Sequence, residues 1–432
     1  MATTKTKLSD LAINGGPKAV EDAIPYVGFG VNELGDEEKQ YVNDVLNRKA
    51  VFRWQDAKQS YVMRFEEGFA KKAGAKHALA VSSGTAALVT GLTALGVGPG
   101  DEVIVPGYTY IASASAVILV GAVPVIAEID DTLTLAPKDF ERKITPHTKA
   151  VMPVHMRGIP CDMDKIMRIA KKHKIAVIED ASQCDGGTYN GKRIGAIGHV
   201  GCFSLQASKT ITSGEGGVII TNDDTLYARA AIAHDSGIAF WRKLSEELTK
   251  KVTLQAFAGQ GYRMNELAGA VAFAQLHKLD KIVGVCRQRK KELLRDIAGA
   301  PGLKPMRVPD PDGECAYSAN FLFDSADEAQ RFAQALSAEG VRVHTIHNEG
   351  FPDRHIYKYW DYVLNKVPIS PGRDPWRDPR YKGNVEYAED MCPQTMSVLT
   401  RTVAVPLNQR MTSKHSRLMA KAIKKVAQGL YG

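Results

Sequence analysis

The stretch Cys202-Phe203-Ser204-Leu205-Gln206-Ala207-Ser208-Lys209-Thr210-Ile211-Thr212-Ser213-Gly214-Glu215-Gly216-Gly217, followed by the apolar run Val218-Ile219-Ile220, is the segment around which the chain is organised. A lysine set between a short apolar, hydroxyl-bearing segment and a glycine-rich turn lies in a crevice whose small neighbours leave room for a ligand. Removed from water, an amine loses the solvation that favours its charge and can act as a nucleophile or Schiff-base partner near neutral pH. The usual fate of lysine is to point at solvent. Lys209 alone does not decide between the two, so the decision rests on what the rest of the chain brings to it.

Working outward, apolar runs at 78–81, 102–105, 123–126, 149–154 and 175–178 read as strands. Segments 36–46, 61–73, 86–92, 111–119, 135–144 and 162–173 read as helices around them. Strands apolar on both faces and alternating with helices define an α/β fold with a mostly parallel sheet flanked by helices. Ligands of such sheets bind beyond the carboxyl ends of the strands. At those ends stand Ser82-Ser83-Gly84-Thr85, Tyr108-Thr109-Tyr110, His155-Met156-Arg157-Gly158 and Glu179-Asp180-Ala181-Ser182-Gln183. The first of these opens a helix, whose unpaired amides and positive dipole end make either a seat for a phosphate or an ordinary cap.

A helix at 226–233 leads into a polar, basic stretch up to Lys251 that reads as a surface excursion, and a long amphipathic helix is expected over 265–290. Beyond it the pattern changes to strands and helices at 317–323, 325–339 and 341–345, with a closing helix from Ser413. The expected organisation is a large domain over 1–290 with an N-terminal arm, and a smaller C-terminal α/β domain over 291–432. An insertion around 351–395, dense in Pro, Arg, Asp and aromatic residues, reads either as a functional or partner-contacting loop or as an irregular surface insertion.

Composition removes several classes. With 432 residues, 44% hydrophobic and 24% charged, the chain suits a large globular protein without low-complexity tracts. The apolar region 111–129 is broken by Ser113, Ser115, Gly121, Pro124 and Glu128, so no membrane span is expected. The N-terminus lacks an apolar signal core, which points to the cytoplasm. Six cysteines without C-x-x-C spacing read as reduced, buried thiols, and no metal site is expected. The formal charge of +8 suits anionic small substrates. It does not establish nucleic-acid binding, because the most basic segment, 414–425, reads as one face of an amphipathic helix. A nicotinamide enzyme would need G-x-G-x-x-G after the first strand, where Ser82-Ser83-Gly84-Thr85 stands instead.

A phosphate seat, an aromatic ring, an acid and a lysine at one sheet edge are the parts that hold pyridoxal 5'-phosphate (PLP). At these residues the sequence resembles the DegT/StrS-type sugar aminotransferases, a branch of the type I PLP-dependent transferase fold. The matching pieces are Ser82 to Leu88, Tyr108-Thr109-Tyr110, Val154 to Gly158, Glu179 to Gln183, Phe203-Ser204 to Lys209, Gly214 to Gly217 and Tyr262-Arg263-Met264, in family order over most of the chain. Within the family it looks most like the aminotransferases of scyllo-inosose and related cyclitols.

The resemblance implies the following roles. Lys209 binds the cofactor's aldehyde and shuttles a proton, Asp180 pairs with the pyridinium nitrogen, Gln183 reaches the ring hydroxyl and Tyr110 stacks on the ring. Gly84, Thr85 and Ser204 hold the phosphate. Arg157 is the candidate cation for the donor carboxylate, and His155 a candidate substrate contact. The implied reaction moves an amino group from L-glutamate or L-glutamine to a nucleotide-linked keto sugar or a keto cyclitol, in a homodimer. A PLP-dependent sugar dehydratase and a non-catalytic relative are the alternatives. Such dehydratases carry histidine in place of Lys209, and intact Lys209, Asp180 and Gln183 speak against a non-catalytic role. One departure is Gly261, where many family members have an asparagine that reaches the phosphate of the neighbouring subunit.

Overall fold

The computed structural model describes residues 6–237, 255–347 and 352–432. The expected excursion up to Lys251 lies mostly outside the described residues.

The strands β1 (His77–Val81), β2 (Glu102–Pro106), β3 (Val123–Ala127), β4 (Thr148–Val151), β5 (Ala176–Asp180), β8 (Val200–Ser204) and β9 (Gly217–Thr221) form one sheet. The short pair β6 (Thr188–Tyr189) and β7 (Lys192–Arg193) stands apart as a hairpin. The sheet order is β1-β9-β8-β5-β4-β2-β3. Pairs from β8 to β3 are parallel, whereas β9 runs against both β8 and β1.

Because β2, β3, β8 and β9 are buried along their whole length, both faces of the sheet need covering. Helices α3 (Gly84–Ala94) and α4 (Ala112–Leu119) supply one apolar layer, packing with Val103, Val105, Ile178 and Cys202. The opposite layer holds Phe65 and Phe69 of α2 (Tyr61–Ala73), Ile166 of the helix Met163–His173, and Ile104, Val177 and Phe203 of the strands. Each fully buried aliphatic or aromatic side chain contributes about 1.5–3 kcal/mol relative to exposure. The sheet is thereby fixed as a rigid floor, and its loops carry the chemistry.

The six cysteines are free and buried. A separate cluster joins Leu293, Phe321, Phe332, Val403 and Ile423 around the antiparallel pair β10 (Ser318–Leu322) and β11 (Thr402–Pro406). Leu11, Ala19 and Val20 of the N-terminal arm pack into it. Tyr357, Trp360 and Val363 of the 352–395 segment instead belong to the core over α3 and α4. The segment follows Gly107 to Ile111 through main-chain bonds: Tyr357 N–H to Gly107 O at 3.0 Å, Thr109 N–H to His355 O at 2.9 Å, and Ile111 N–H to Arg354 O at 3.0 Å.

Two sequence expectations change. The helix over 265–290 is two helices, Glu266–Leu276 and Leu279–Asp296. At the junction Lys278 Nζ reaches Glu38 Oε1 and Glu33 O, each at 2.6 Å, which pins the chain against the helix Asp36–Arg48. Residues 341–345 form only an isolated bridge, His344 to Ala404, in place of a strand.

Candidate active site

Since β1, β2, β5 and β8 point the same way, the ends of these strands meet along one edge. Gly217 begins β9 at that edge and pairs with both Val81 and Ser204. A Cβ there would lie 2.3 Å from Ser83 O, so the glycine permits the turn after Gly214 to close on the start of α3. Ser83 caps α3 by accepting the Ala86 N–H at 3.0 Å. A Cβ on Gly84 would come within 2.7 Å of Ser204 Cβ. The two backbones thus approach too closely for any side chain at position 84, which leaves main-chain amides at the helix start as the local surface.

A cavity of about 450 Å³ lies above this cup. Gly84, Thr85, Tyr110, Asp180, Gln183, Ser204 and Lys209, all expected around the cofactor, line it together. Asp180 is buried and oriented: Oδ2 accepts the Ser113 hydroxyl at 2.8 Å and Oδ1 accepts the Ser182 N–H at 3.1 Å. Ser113 also contacts Thr109 Oγ1 at 2.7 Å, forming a short relay that sequence reasoning missed. Its only sequence signal is a serine in the first turn of the helix after Tyr108-Thr109-Tyr110. Gln183 accepts the Arg157 N–H on Oε1 at 3.1 Å, which assigns the amide orientation and leaves Nε2 as the donor for the cavity. Tyr110 is half exposed at the mouth, its ring 5.3 Å from that of His355.

Lys209 stands in the wall shared by this cavity and a second one of about 490 Å³. Burial lowers the pKa of its amine from the ordinary lysine value, with Asp180 opposing. Its remaining exposure is to the two cavities. The sharpest feature of the second cavity is Arg157, whose backbone is left-handed at φ 54° and whose Nε–H donates to Tyr108 Oη at 2.8 Å. Strain of this kind is retained where the surroundings over-determine it, often at functional sites. The terminal guanidinium nitrogens have no protein partner among the described residues.

His155 is corrected. It is fully buried, lines neither cavity, and uses both ring nitrogens on protein: Nδ1 accepts the Cys161 N–H at 3.0 Å and Nε2 faces Glu179 Oε2 at 3.1 Å. Glu179 in turn accepts amides from Gly195, Ile197 and Gly198. This histidine braces the sheet beneath the site instead of meeting substrate. Arg53 is likewise internal, paired with Glu66 at 2.8 Å and stacked on Trp54. In the place of the expected asparagine, Gly261 has open space around its Cα, and Asn265 is occupied as the cap of the helix Glu266–Leu276.

Asp185 follows the Gln183 loop and ties it to β10 through its carbonyl, which accepts the Tyr317 hydroxyl at 3.2 Å. Its own Oδ2 is buried without a hydrogen-bond partner, and burial raises the carboxyl to about 7. The folded state therefore keeps a proton that the unfolded chain releases near pH 4, and stability falls as pH rises through that window up to about 7. Asp185→Asn is predicted to stabilise the protein by about 2–4 kcal/mol near pH 8, with the gain shrinking toward pH 4. Thermal unfolding of both proteins across pH checks it; an equal effect at all pH values would contradict it.

An anion seat at a helix start, a buried hydrogen-bonded carboxylate and a burial-perturbed lysine on one edge of this sheet define a cofactor-dependent site of the PLP class. The chain belongs to the DegT/DnrJ/EryC1/StrS aminotransferase family, whose family model matches residues 32–370. It is 40% identical over 271 residues to GDP-perosamine synthase of Escherichia coli O157:H7, covering 62% of this chain and 70% of that one. Over 270 residues it is 39% identical to L-glutamine:2-deoxy-scyllo-inosose aminotransferase of Micromonospora echinospora, covering 61% and 64%. Among solved structures, 3-amino-5-hydroxybenzoic acid synthase superposes with a TM-score of 0.75 at 27% identity, over 94% of this chain and 99% of that one.

The protein is accordingly a PLP-dependent aminotransferase of amino-sugar or aminocyclitol biosynthesis. The residues present fit the cofactor: glycine-bared amides suit a phosphate, Asp180 suits a ring nitrogen, and the Gln183 amide suits a ring hydroxyl. No helix among the described residues is long and apolar enough to cross a membrane. No cluster of metal-ligating side chains occurs among them either.

Proposed function

We propose that this aminotransferase takes the amino group of L-glutamate or L-glutamine and delivers it to the ketone of a nucleotide-linked sugar or a cyclitol, acting as a homodimer. The observation that carries the reading is the position of Lys209, whose amine borders the Asp180 cavity on one side and the Arg157 cavity on the other.

Bound PLP supplies an electron sink that makes the carbon beside the transferred nitrogen acidic. Asp180, oriented by the Ser113 hydroxyl and the Ser182 amide, would be the partner of the ring nitrogen. Gln183 would donate to the ring hydroxyl, while the amides of Gly84 and Thr85 and the Ser204 hydroxyl would hold the phosphate. Tyr110 flanks the ring at the mouth. Lys209, with its pKa lowered by burial, would hold the cofactor through its amine and serve as the group that moves the proton.

Arg157 is the candidate for holding the donor carboxylate, a reading supported by its place in the wall of the second cavity, with Nε held by Tyr108. A bidentate, charge-assisted pair is worth several kcal/mol, so Arg157→Leu is predicted to lower kcat/KM of the donor half-reaction by about 100-fold. The acceptor half-reaction should change much less. Single-turnover spectra of each half measure this, and an unchanged donor half would remove the role.

Supporting a dimer, Val31 and Leu34 are exposed just after Gly30, whose N–H binds Lys209 O at 3.1 Å, so an apolar surface adjoins the site. The proposal as a whole is tested by offering L-glutamate and L-glutamine to the PLP form, then keto sugars and keto cyclitols to the pyridoxamine form, following the cofactor band. Loss of the band with a donor and its return with an acceptor is the expected result. A band unmoved by both donors would contradict it.

A further inference from the structure

The 352–395 segment carries a feature that the family site does not explain. Asp353 and His355 form a dyad at the mouth of the site: Asp353 Oδ1 meets His355 Nδ1 at 2.7 Å and also accepts the His355 N–H at 3.0 Å. These bonds hold the Asp353 carboxyl below its ordinary value despite partial burial. In the neutral ring, the carboxylate on Nδ1 holds the single proton there and leaves Nε2 as a hydrogen-bond acceptor. Among the described residues Nε2 has no protein partner.

The ring lines both the Asp180 cavity and the Arg157 cavity. Its place is fixed on three sides. The main chain is locked to Thr109 and its neighbours by the bonds already described, and the Tyr110 and Tyr108 rings lie 5.3 and 6.5 Å from it. Behind it, Trp360 is fully buried and donates its indole N–H to Arg354 O at 2.9 Å. A histidine whose Nδ1 is held by a carboxylate, on a core-anchored segment in the wall of a ligand cavity, is arranged for recognition.

We propose that His355 Nε2 is a specificity-determining contact that accepts a hydrogen bond from a hydroxyl of the acceptor, close to its ketone. The inference rests on the proposed amino transfer to a keto sugar or cyclitol. The chemistry selects the hydroxyl: a ketone oxygen is itself an acceptor and cannot pair with a bare imidazole nitrogen, whereas these acceptors carry hydroxyls beside the carbonyl. The amino donor offers a carboxylate, which belongs with Arg157. Asp353 acts through His355 and is a positioning residue.

The test separates the two half-reactions in the PLP-loaded protein. His355→Phe should leave the donor half-reaction within about twofold of the wild type and weaken the acceptor half-reaction about tenfold, chiefly in KM. His355→Gln, which keeps an acceptor oxygen, should recover part of the loss. Comparing scyllo-inosose with a cyclitol ketone that lacks the hydroxyls on both carbons beside the ketone should show that the penalty of His355→Phe falls on the acceptor that carries them. If the variant, folded with wild-type thermal stability, loses both halves equally or loses neither, the proposal is overturned. Equal penalties on the two acceptors would also overturn it. Failure of the wild type to accept any donor strikes the underlying aminotransfer reading instead, so the two failures are distinct.

Discussion

Lys209→Ala is expected to abolish amino transfer, with turnover falling by at least about four orders of magnitude. The lysine is asked to do two things, to hold the cofactor through its amine and to move the proton, and alanine does neither. Among the described residues, no second lysine lines either cavity. The only replacement is water or added amine. Addition of a small primary amine is expected to restore a fraction of the activity by carrying the proton, without restoring covalent attachment. Absorbance of the cofactor should shift to that of free aldehyde, and steady-state turnover with the best donor and acceptor pair measures the loss. A Lys209→Ala protein that retained activity within tenfold would remove Lys209 from the chemistry.

Asp180→Asn carries the second largest expected effect, a fall in kcat of about two to three orders of magnitude. The substitution preserves volume, and Asp180 is buried, so the loss is electrostatic. A neutral amide no longer holds a proton on the ring nitrogen, and the electron sink weakens in the transition state more than in the ground state. Both half-reactions should slow alike, because both draw on the same sink; this distinguishes Asp180 from Arg157 and His355, whose effects are confined to one half. Unequal slowing, measured by single-turnover spectra, would count against the assigned role.

The parts of the site that could be read in the sequence are those that lie on a strand end and carry their chemistry within a few consecutive residues. Asp180 closes β5 and Gln183 follows it, Ser204 closes β8 and Lys209 follows it, and Gly84 and Thr85 follow β1, so locating the strands locates the groups. What could not be read depends on registry between distant segments. The Ser113 bond to Asp180 requires α4 to lie over β5, and the Arg157 bond to Tyr108 requires the loops after β2 and β4 to touch. The same reasoning misplaced His155. Its strand-end position is shared with Arg157, but pairing of Val154 with Asp180 sends the imidazole toward Glu179, on the core side. The helix break at His277 and Lys278 is hidden because helical periodicity continues through it and only the contact with Glu38 betrays the corner. His355 was invisible in a segment whose composition reads as loop; the buried Trp360 and Tyr357 show that the loop is anchored in the main core.

The claim on which everything else depends is that Lys209 is the residue joined to the cofactor. Borohydride reduction of the PLP-loaded protein fixes that bond, and mass spectrometry of a proteolytic digest then reads which lysine carries the added mass. The account predicts a single modified peptide containing Lys209, absent when the protein is first saturated with the amino donor. A modification on another lysine, or none at all in a protein that still transfers amino groups, would contradict it.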